Sequence, residues 1–390
     1  MRTKRSTRRR TRNDTRKSNA AYARRAIRGR RTKGRAGRRL SASARRRLRG
    51  HAGARRPHIA SGAGPMRAAA AYEAGRLAAA QHPVPPGADP IRWIGGCWSD
   101  LCRDRPLHAD GAAYRQAADR FAAGYGSVSG HRTDDRVLLP TRRSVAAVVC
   151  IMNEEATVPL IGAQLARLSL DEIVFVVNGS SDGSFAAARA CPGATVVHVP
   201  ERLGHDVGRA IGAKQTRSDI VLFLDGDIPV AAERLVPFVA AVDRGIDVAL
   251  NDISPYVGDL SQRDSVTIVK QFLNRAVRRP DLDANSLTAV PHALSRRAID
   301  TIGCRTLMVP PLAQAKAIRA GLTVRAAASV DVIAPNRVRA HNDGEQSAVS
   351  RMIVGDHVEA MAALLREAGD RLGEPDTTRK RHLLSGGDAS

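Results

Sequence analysis

The chain has 390 residues and a formal net charge of +24, but the charge is confined to one end. Residues 1–56 hold 24 Arg or Lys against the single acid Asp14, and the rest of the chain, with 38 basic and 37 acidic side chains, carries +1. The composition therefore describes a near-neutral body with a polycationic arm, and the high isoelectric point says nothing about the fold. Five loosely spaced cysteines (Cys97, Cys102, Cys150, Cys191, Cys304) form neither a disulfide framework nor a zinc motif, which points to a reducing cytoplasm.

Residues 1–56 are rich in Arg, Ala, Gly, Ser and Thr. Such a segment has too few apolar side chains to offset its ordering entropy, so a disordered arm is expected. It has charge but no apolar run behind it, unlike a secretory signal. No stretch of the chain approaches the ~18 apolar residues that span a bilayer. Residues 57–143 read as a helical accessory region and linker: Ala-rich helices are expected over 66–82 and around Tyr114–Tyr125, separated by the Pro83–Gly87 breaker.

From Ser144 the texture changes. Apolar runs at 144–152, 172–177, 195–199 and 220–224 alternate with helical stretches at 156–168, 183–191 and 207–216. Strand–helix alternation with nearly continuous apolar strands implies a parallel sheet covered on both faces. Residues 345–368 read as a closing amphipathic helix, in which Asp356 and His357 could contact the site but are expected on an exposed polar face. Residues 369–390 read as a disordered tail.

Each of the four apolar runs ends in polar residues. The first ends in Asn153-Glu154-Glu155 and the second in Asn178-Gly179-Ser180-Ser181-Asp182. The third is followed by the segment from Gly204 to Arg209, and the fourth by Asp225-Gly226-Asp227. In a parallel sheet these ends share one edge, where open α/β sheets bind ligands. Taken singly, each piece is ordinary turn or capping chemistry. Their convergence is what a binding site requires. Two aspartates at a strand end suit a hard divalent cation bound to a diphosphate.

This order of motifs over residues 144 to about 340 resembles the family 2 glycosyltransferases, which have the GT-A fold. The resemblance implies an α/β fold of the GT-A type, a mostly parallel sheet flanked by helices, spanning 144–368. It implies a glycosyltransferase moving a sugar from a nucleoside diphospho-sugar, usually UDP-linked, to a sugar, lipid or polymer acceptor. Asn153, Glu154, Glu155, Asn178 and Ser180 would hold the nucleoside, and Asp182 would accept a hydrogen bond from the base. Gly204 and Arg209 would sit by the donor. Asp225 would face the ribose and metal, and Asp227 would be the main ligand of Mg²⁺ or Mn²⁺.

Two departures from the family pattern stand out. Where the family has paired aspartates after the second strand, this chain has Val177-Asn178, and the Asn178 amide could read a base edge instead. Where inverting members carry a Glu-Asp pair before a helix, this chain has Met308-Val309-Pro310-Pro311-Leu312-Ala313-Gln314, with no carboxylate. A general base needs a titratable group within reach, so Asp252 and His292 become the candidates. Without a base, the reaction would be retaining. His341 stands where some retaining enzymes of this fold have a third metal ligand. The arm would bind any polyanion, whether nucleic acid, anionic lipid or wall polymer, and so allows contact with a membrane surface. A non-enzymatic polyanion-binding protein on a degenerate transferase scaffold is the competing reading.

Overall fold

The computed structural model describes residues 65–103, 105–106, 111–334, 348–376 and 379. The basic arm over 1–56, most of the expected C-terminal tail and His341 lie outside these residues. The four apolar runs form parallel strands β1 (Val145–Ile151), β2 (Glu172–Asn178), β3 (Ala194–Val199) and β4 (Ile220–Asp225). Three shorter strands complete the sheet: β5 (Val248–Asn251), β6 (His292–Ser295) and β7 (Val324–Ala328). Their order is β3-β2-β1-β4-β6-β5-β7. Only β6 is antiparallel, to β4 on one side and β5 on the other, while β5 and β7 pair in parallel. The carboxyl ends of six strands therefore share one edge.

Helices cover both faces. Successive strand residues point to opposite faces. Val145, Ala147 and Val149 of β1 join Phe175, Leu222 and Ala249 in one apolar cluster, and Ala146 and Val148 join Val176, Phe223 and Leu250 in the other. The first face is covered by α1 (Ala68–Gln81), α2 (Pro90–Cys102), α3 (Gly111–Ser129), α4 (Val158–Ala166), α5 (Ser184–Arg189) and α7 (Ala232–Asp243). The second is covered by α6 (Val207–Gln215), α9 (Arg296–Ile302) and α10 (Pro310–Arg319). Here α8 (Ser265–Ala276) and α11 (Ala348–Ala368) pack on α10 through Leu273, Ala315, Ala360 and Leu364. Among the described residues no helix is long and apolar enough to cross a membrane.

The first three helices share the core of the sheet. Glycines bring α1 and α3 into backbone contact: a Cβ on Gly75 would lie 2.0 Å from Phe121 O, and one on Gly124 would lie 2.0 Å from Tyr72 O. Trp98 of α2 is 1% exposed and packs on Phe121 with ring centroids 5.2 Å apart. Its Nε1 donates to Tyr114 Oη at 3.0 Å, and Tyr114 Oη donates onward to Leu138 O. Each buried polar atom of this aromatic group thereby has a partner, as burial requires.

Candidate active site

The loops after β1 and β2 are bound to each other. Asn153 adopts a left-handed conformation with φ +58, which Asn tolerates better than most side chains. Its Oδ1 accepts from Ser181 N at 2.8 Å, and its own N donates to Ser180 Oγ at 3.1 Å. Glu154 N donates to Ser184 Oγ, Glu155 N donates to Asp182 Oδ2, and Gly183 N donates to Glu155 Oε2. Asp182 Oδ1 also accepts from Ser184 N. Desolvation raises the Asp182 pKa, but these bonds from Ser184 and Glu155 outweigh it and hold the carboxyl below its ordinary value. Five of the residues expected at the nucleoside, Asn153, Glu154, Glu155, Ser180 and Asp182, thus belong to one interlocked double loop.

Asn178 does something other than read a base. Its Oδ1 accepts from Leu203 N at 2.9 Å and its Nδ2 donates to Gly204 O at 2.7 Å, with the side chain buried. The amide fixes the segment that leads into α6. Gly204 has φ +117, a conformation that favours glycine. On α6, Gly208 and Gly212 lie against β1, where added Cβ atoms would come 3.0 Å from Cys150 Sγ and 2.2 Å from Val148 Cγ1. This close approach carries Arg209 under the end of β4.

Arg209 was expected beside the donor, but it is 2% exposed and held by acids. Its guanidinium meets Asp206 Oδ1 at 2.8 Å and Asp225 Oδ1 at 3.1 Å, and Nη1 donates to Leu287 O. Burial disfavours this cation, yet Asp206 and Asp225 more than compensate and raise its pKa. Burial likewise pushes Asp206 up, and Arg209 and His205 bring it below its ordinary range. Arg209 therefore positions Asp225. The turn that follows is tight: Gly226 N donates to Cys150 O at 2.7 Å, and Gly226 O accepts from Thr157 Oγ1. A Cβ on Gly226 would meet Cys150 O at 2.9 Å. Only glycine lets Asp225 and Asp227, both half-buried, leave the strand in this way.

The other half of the edge carries Asp252, which follows β5. Its Oδ1 accepts from Asn285 Nδ2 at 3.0 Å and from Ser254 N at 3.1 Å. Asn285 belongs to a buried amide network: Gln314 Nε2 donates to Asn274 Oδ1 and Asn285 O, and Gln314 Oε1 accepts from Leu287 N. Pro310 and Pro311, in place of the acids of the family pattern, are buried at the start of α10. The site therefore has no carboxylate there. His292 is a correction to the sequence reading. It lies within β6, 1% exposed, stacked on Phe223 with Nδ1 3.0 Å from Ala289 O. Burial, with Arg209 adding to it, lowers its pKa to about 3. It is a neutral core residue and is not available as a base. Among the described residues no group of three or more His, Cys, Asp or Glu side chains is arranged to hold a metal.

Residues 146–301 match the sequence model of glycosyl transferase family 2. The chain carries a family 2 glycosyltransferase domain. The chain is also similar to solved structures of glucosyl-3-phosphoglycerate synthase from Mycobacterium tuberculosis. One, in complex with Mn²⁺, UDP and glucosyl-3-phosphoglycerate, is 22% identical, with 60% of this chain and 82% of that chain covered and a TM-score of 0.42. Another structure of that enzyme is 23% identical over the same shares, with a TM-score of 0.40. A third, with Mg²⁺ and UDP, is 21% identical over 60% and 81%, with a TM-score of 0.37. No curated protein matches the chain.

Three further residues bear on this candidate site. Asp206 has no motif of its own, yet it bridges Arg209 and, at 3.5 Å, His205 Nδ1. Asp356 of α11 is half-buried rather than on a free surface. Desolvation, then the charges of Asp206 and Glu359, raise its pKa to about 6. Lys270 of α8 is 9% exposed, and burial lowers its pKa to about 8. The only legible signal for Lys270 was its place, three residues after Thr267 and four before Asn274 on one helix face.

Proposed function

We propose that this glycosyltransferase is metal-dependent and takes its sugar from a nucleoside diphospho-sugar, with uridine as the expected nucleoside. The observation that carries the reading is the Asp225-Gly226-Asp227 turn on the strand edge, with Asp225 held by the buried Arg209. A small hard cation in such sites is commonly bound by one or two carboxylates together with substrate phosphates. The pair fits that set without a third protein ligand: Asp225 and Asp227 would hold Mg²⁺ or Mn²⁺. When bound, the cation offsets the charge that develops on the departing diphosphate.

The remaining roles belong to the chain itself. The interlocked loops of Asn153, Glu155, Ser180 and Asp182 form a fixed wall for the nucleoside, and Glu154 stands beside it. Asn178 sets the path of Leu203 and Gly204 along the same side. Arg209 holds Asp225 in one orientation, so no reorganisation is needed when the donor arrives. The acceptor enters from the β6-β5-β7 half of the edge. Asp252 lies two strands from Asp225, roughly 10 Å at the usual strand spacing. It is the carboxylate proposed to take the proton from the acceptor hydroxyl.

Calorimetry with UDP, GDP, TDP and ADP in the presence of Mn²⁺ tests the reading. Metal-dependent binding of one nucleotide, lost in Asp227→Ala, is the expected result. Absence of binding to all four, or binding and turnover that survive Asp227→Ala, would refute it. A nucleotide-sugar hydrolysis screen then identifies the donor without requiring the acceptor.

A further inference from the structure

Arg209 is divided between two carboxylates, and the closer one is not on the strand edge. Its Nη1 meets Asp206 Oδ1 at 2.8 Å, whereas Nη2 meets the two Asp225 oxygens at 3.1 and 3.3 Å. Asp206 is the N-cap residue of α6, and an aspartate in that place ordinarily accepts from a backbone N–H of the first turn. Asp89 and Asp264 do so for α2 and α8, through Ile91 N at 2.9 Å and Thr267 N at 2.7 Å. Asp206 makes no such bond. Its carboxylate is turned instead onto Arg209, three residues along the same helix. The helix forgoes a cap, and Arg209 gains a second anion.

That second anion changes the charge of the site. A guanidinium set against Asp225 alone would form a neutral pair with little attraction for a cation. With Asp206 ionised, the three side chains together keep one net negative charge. The burial of the group aims that charge. The side chains of Asp206 and Arg209 are 7% and 3% exposed, against 25% for Asp225, so the negative end open to a cation is Asp225. In surroundings of low dielectric the Asp206 charge is felt there more strongly than it would be through water. Leu287 O also accepts from Arg209 Nη1, at 3.2 Å, and fixes the guanidinium between the two acids. His205 Nδ1 approaches Asp206 Oδ1 at 3.5 Å, but that ring is half-exposed and screened by solvent.

We infer that Asp206 is a positioning residue that balances Arg209, so that Asp225 is oriented by the guanidinium without being neutralised by it. Asp206 acts through Arg209 rather than on the cation itself. Its effect is to keep the Asp225-Gly226-Asp227 turn anionic enough to take a divalent metal. This rests on the proposed metal-dependent reading and adds the residue that sets the strength of the metal site.

The test titrates UDP calorimetrically into the full chain at a series of fixed Mn²⁺ concentrations, and reads the Mn²⁺ concentration that gives half of the maximal UDP affinity. Asp206→Asn keeps the shape and an oxygen for Arg209 but not the charge. Its Mn²⁺ requirement should rise about ten- to a hundredfold, with UDP affinity approaching that of the wild type once Mn²⁺ saturates. Asp206→Glu should stay close to the wild type. Adding Arg209→Gln to Asp206→Asn removes both charges and leaves Asp225 its own, so it should recover part of the loss; a merely structural role for Asp206 would give a further loss instead. An unchanged Mn²⁺ requirement in Asp206→Asn, a further loss in the double variant, or an Asp206→Asn chain that shows no folded state in thermal unfolding without metal would overturn the inference. A wild type that binds UDP equally well with and without Mn²⁺, or not at all, refutes the metal-dependent reading itself, and the wild-type titration tells that failure apart from the others.

Discussion

Replacing Lys270 by methionine should make the protein more stable at neutral pH. The lysine is buried, and desolvation lowers its pKa from 10.5 to about 8, with Arg209 adding to the effect and Asp264 opposing it. At 1.36 kcal/mol per pKa unit, that difference of about 2.5 corresponds to about 3 kcal/mol held against the folded state. Methionine fills a similar volume without the charge. For a chain of this size, recovering that amount corresponds to a rise of roughly 5 °C in Tm. Between pH 8 and 10.5 the unfolded chain keeps a proton that the folded one has lost, so wild-type stability rises with pH across this window. Below that window both states are protonated and the full penalty remains. Thermal unfolding of wild type and Lys270→Met, followed from neutral pH to above pH 10, should therefore give two curves that converge at high pH. A variant no more stable than wild type at neutral pH, or a gap that widens with pH, would refute the reasoning.

Arg209→Met should destabilise the protein by about 3–5 kcal/mol, the usual cost of leaving buried carboxylates without their cation, and denaturant unfolding would measure it. Gly226→Ala should weaken UDP binding and cost about 1–3 kcal/mol, because its Cβ would meet backbone at Cys150 O; calorimetry and unfolding together report both. Asp252→Asn should lower kcat by about 10²–10⁴-fold with UDP affinity retained, if it is the acceptor-side base; an unchanged kcat would remove it from that role. Trp98→Ala should cost about 3–5 kcal/mol in a denaturant titration, although it lies outside the family-matched segment.

The parallel half of the sheet was legible because β1, β2 and β4 are buried on both faces and so read as unbroken apolar runs. Ile220–Asp225 is the clearest case, with its pairing to β1 set residue by residue. The short strands β5 and β6 were not legible. Four residues such as Val248–Asn251 carry no period, and the antiparallel direction of His292–Ser295 is set by partners far along the chain. The same distinction applies to the site. The strand-end acids and amides could be found from spacing, but what each one touches could not. Asn178 and Arg209 look like ligand contacts in sequence and prove to be internal struts. His292 looks like a base and is a core ring. Lys270 looks like any helical lysine, and only the packing of α8 against α10 and α11 reveals that it is enclosed.

The way α1, α2 and α3 lie on the sheet has a consequence for how this protein can be divided. The recognisable sequence begins at residue 146, inside β1, but folding does not begin there. A chain cut at that point would remove Ile94, Trp98, Phe121 and Tyr125 from the apolar cluster they share with Ala147, Val149, Phe175 and Leu222, and would bare the side of α7 on which α3 packs. Such surfaces promote association rather than solubility. The unit that can be exchanged, fused or grafted is therefore larger than the unit that can be recognised. A chimera built on this scaffold should keep the chain from about residue 65 onward, so that the donor edge travels with the helices that cover the sheet behind it.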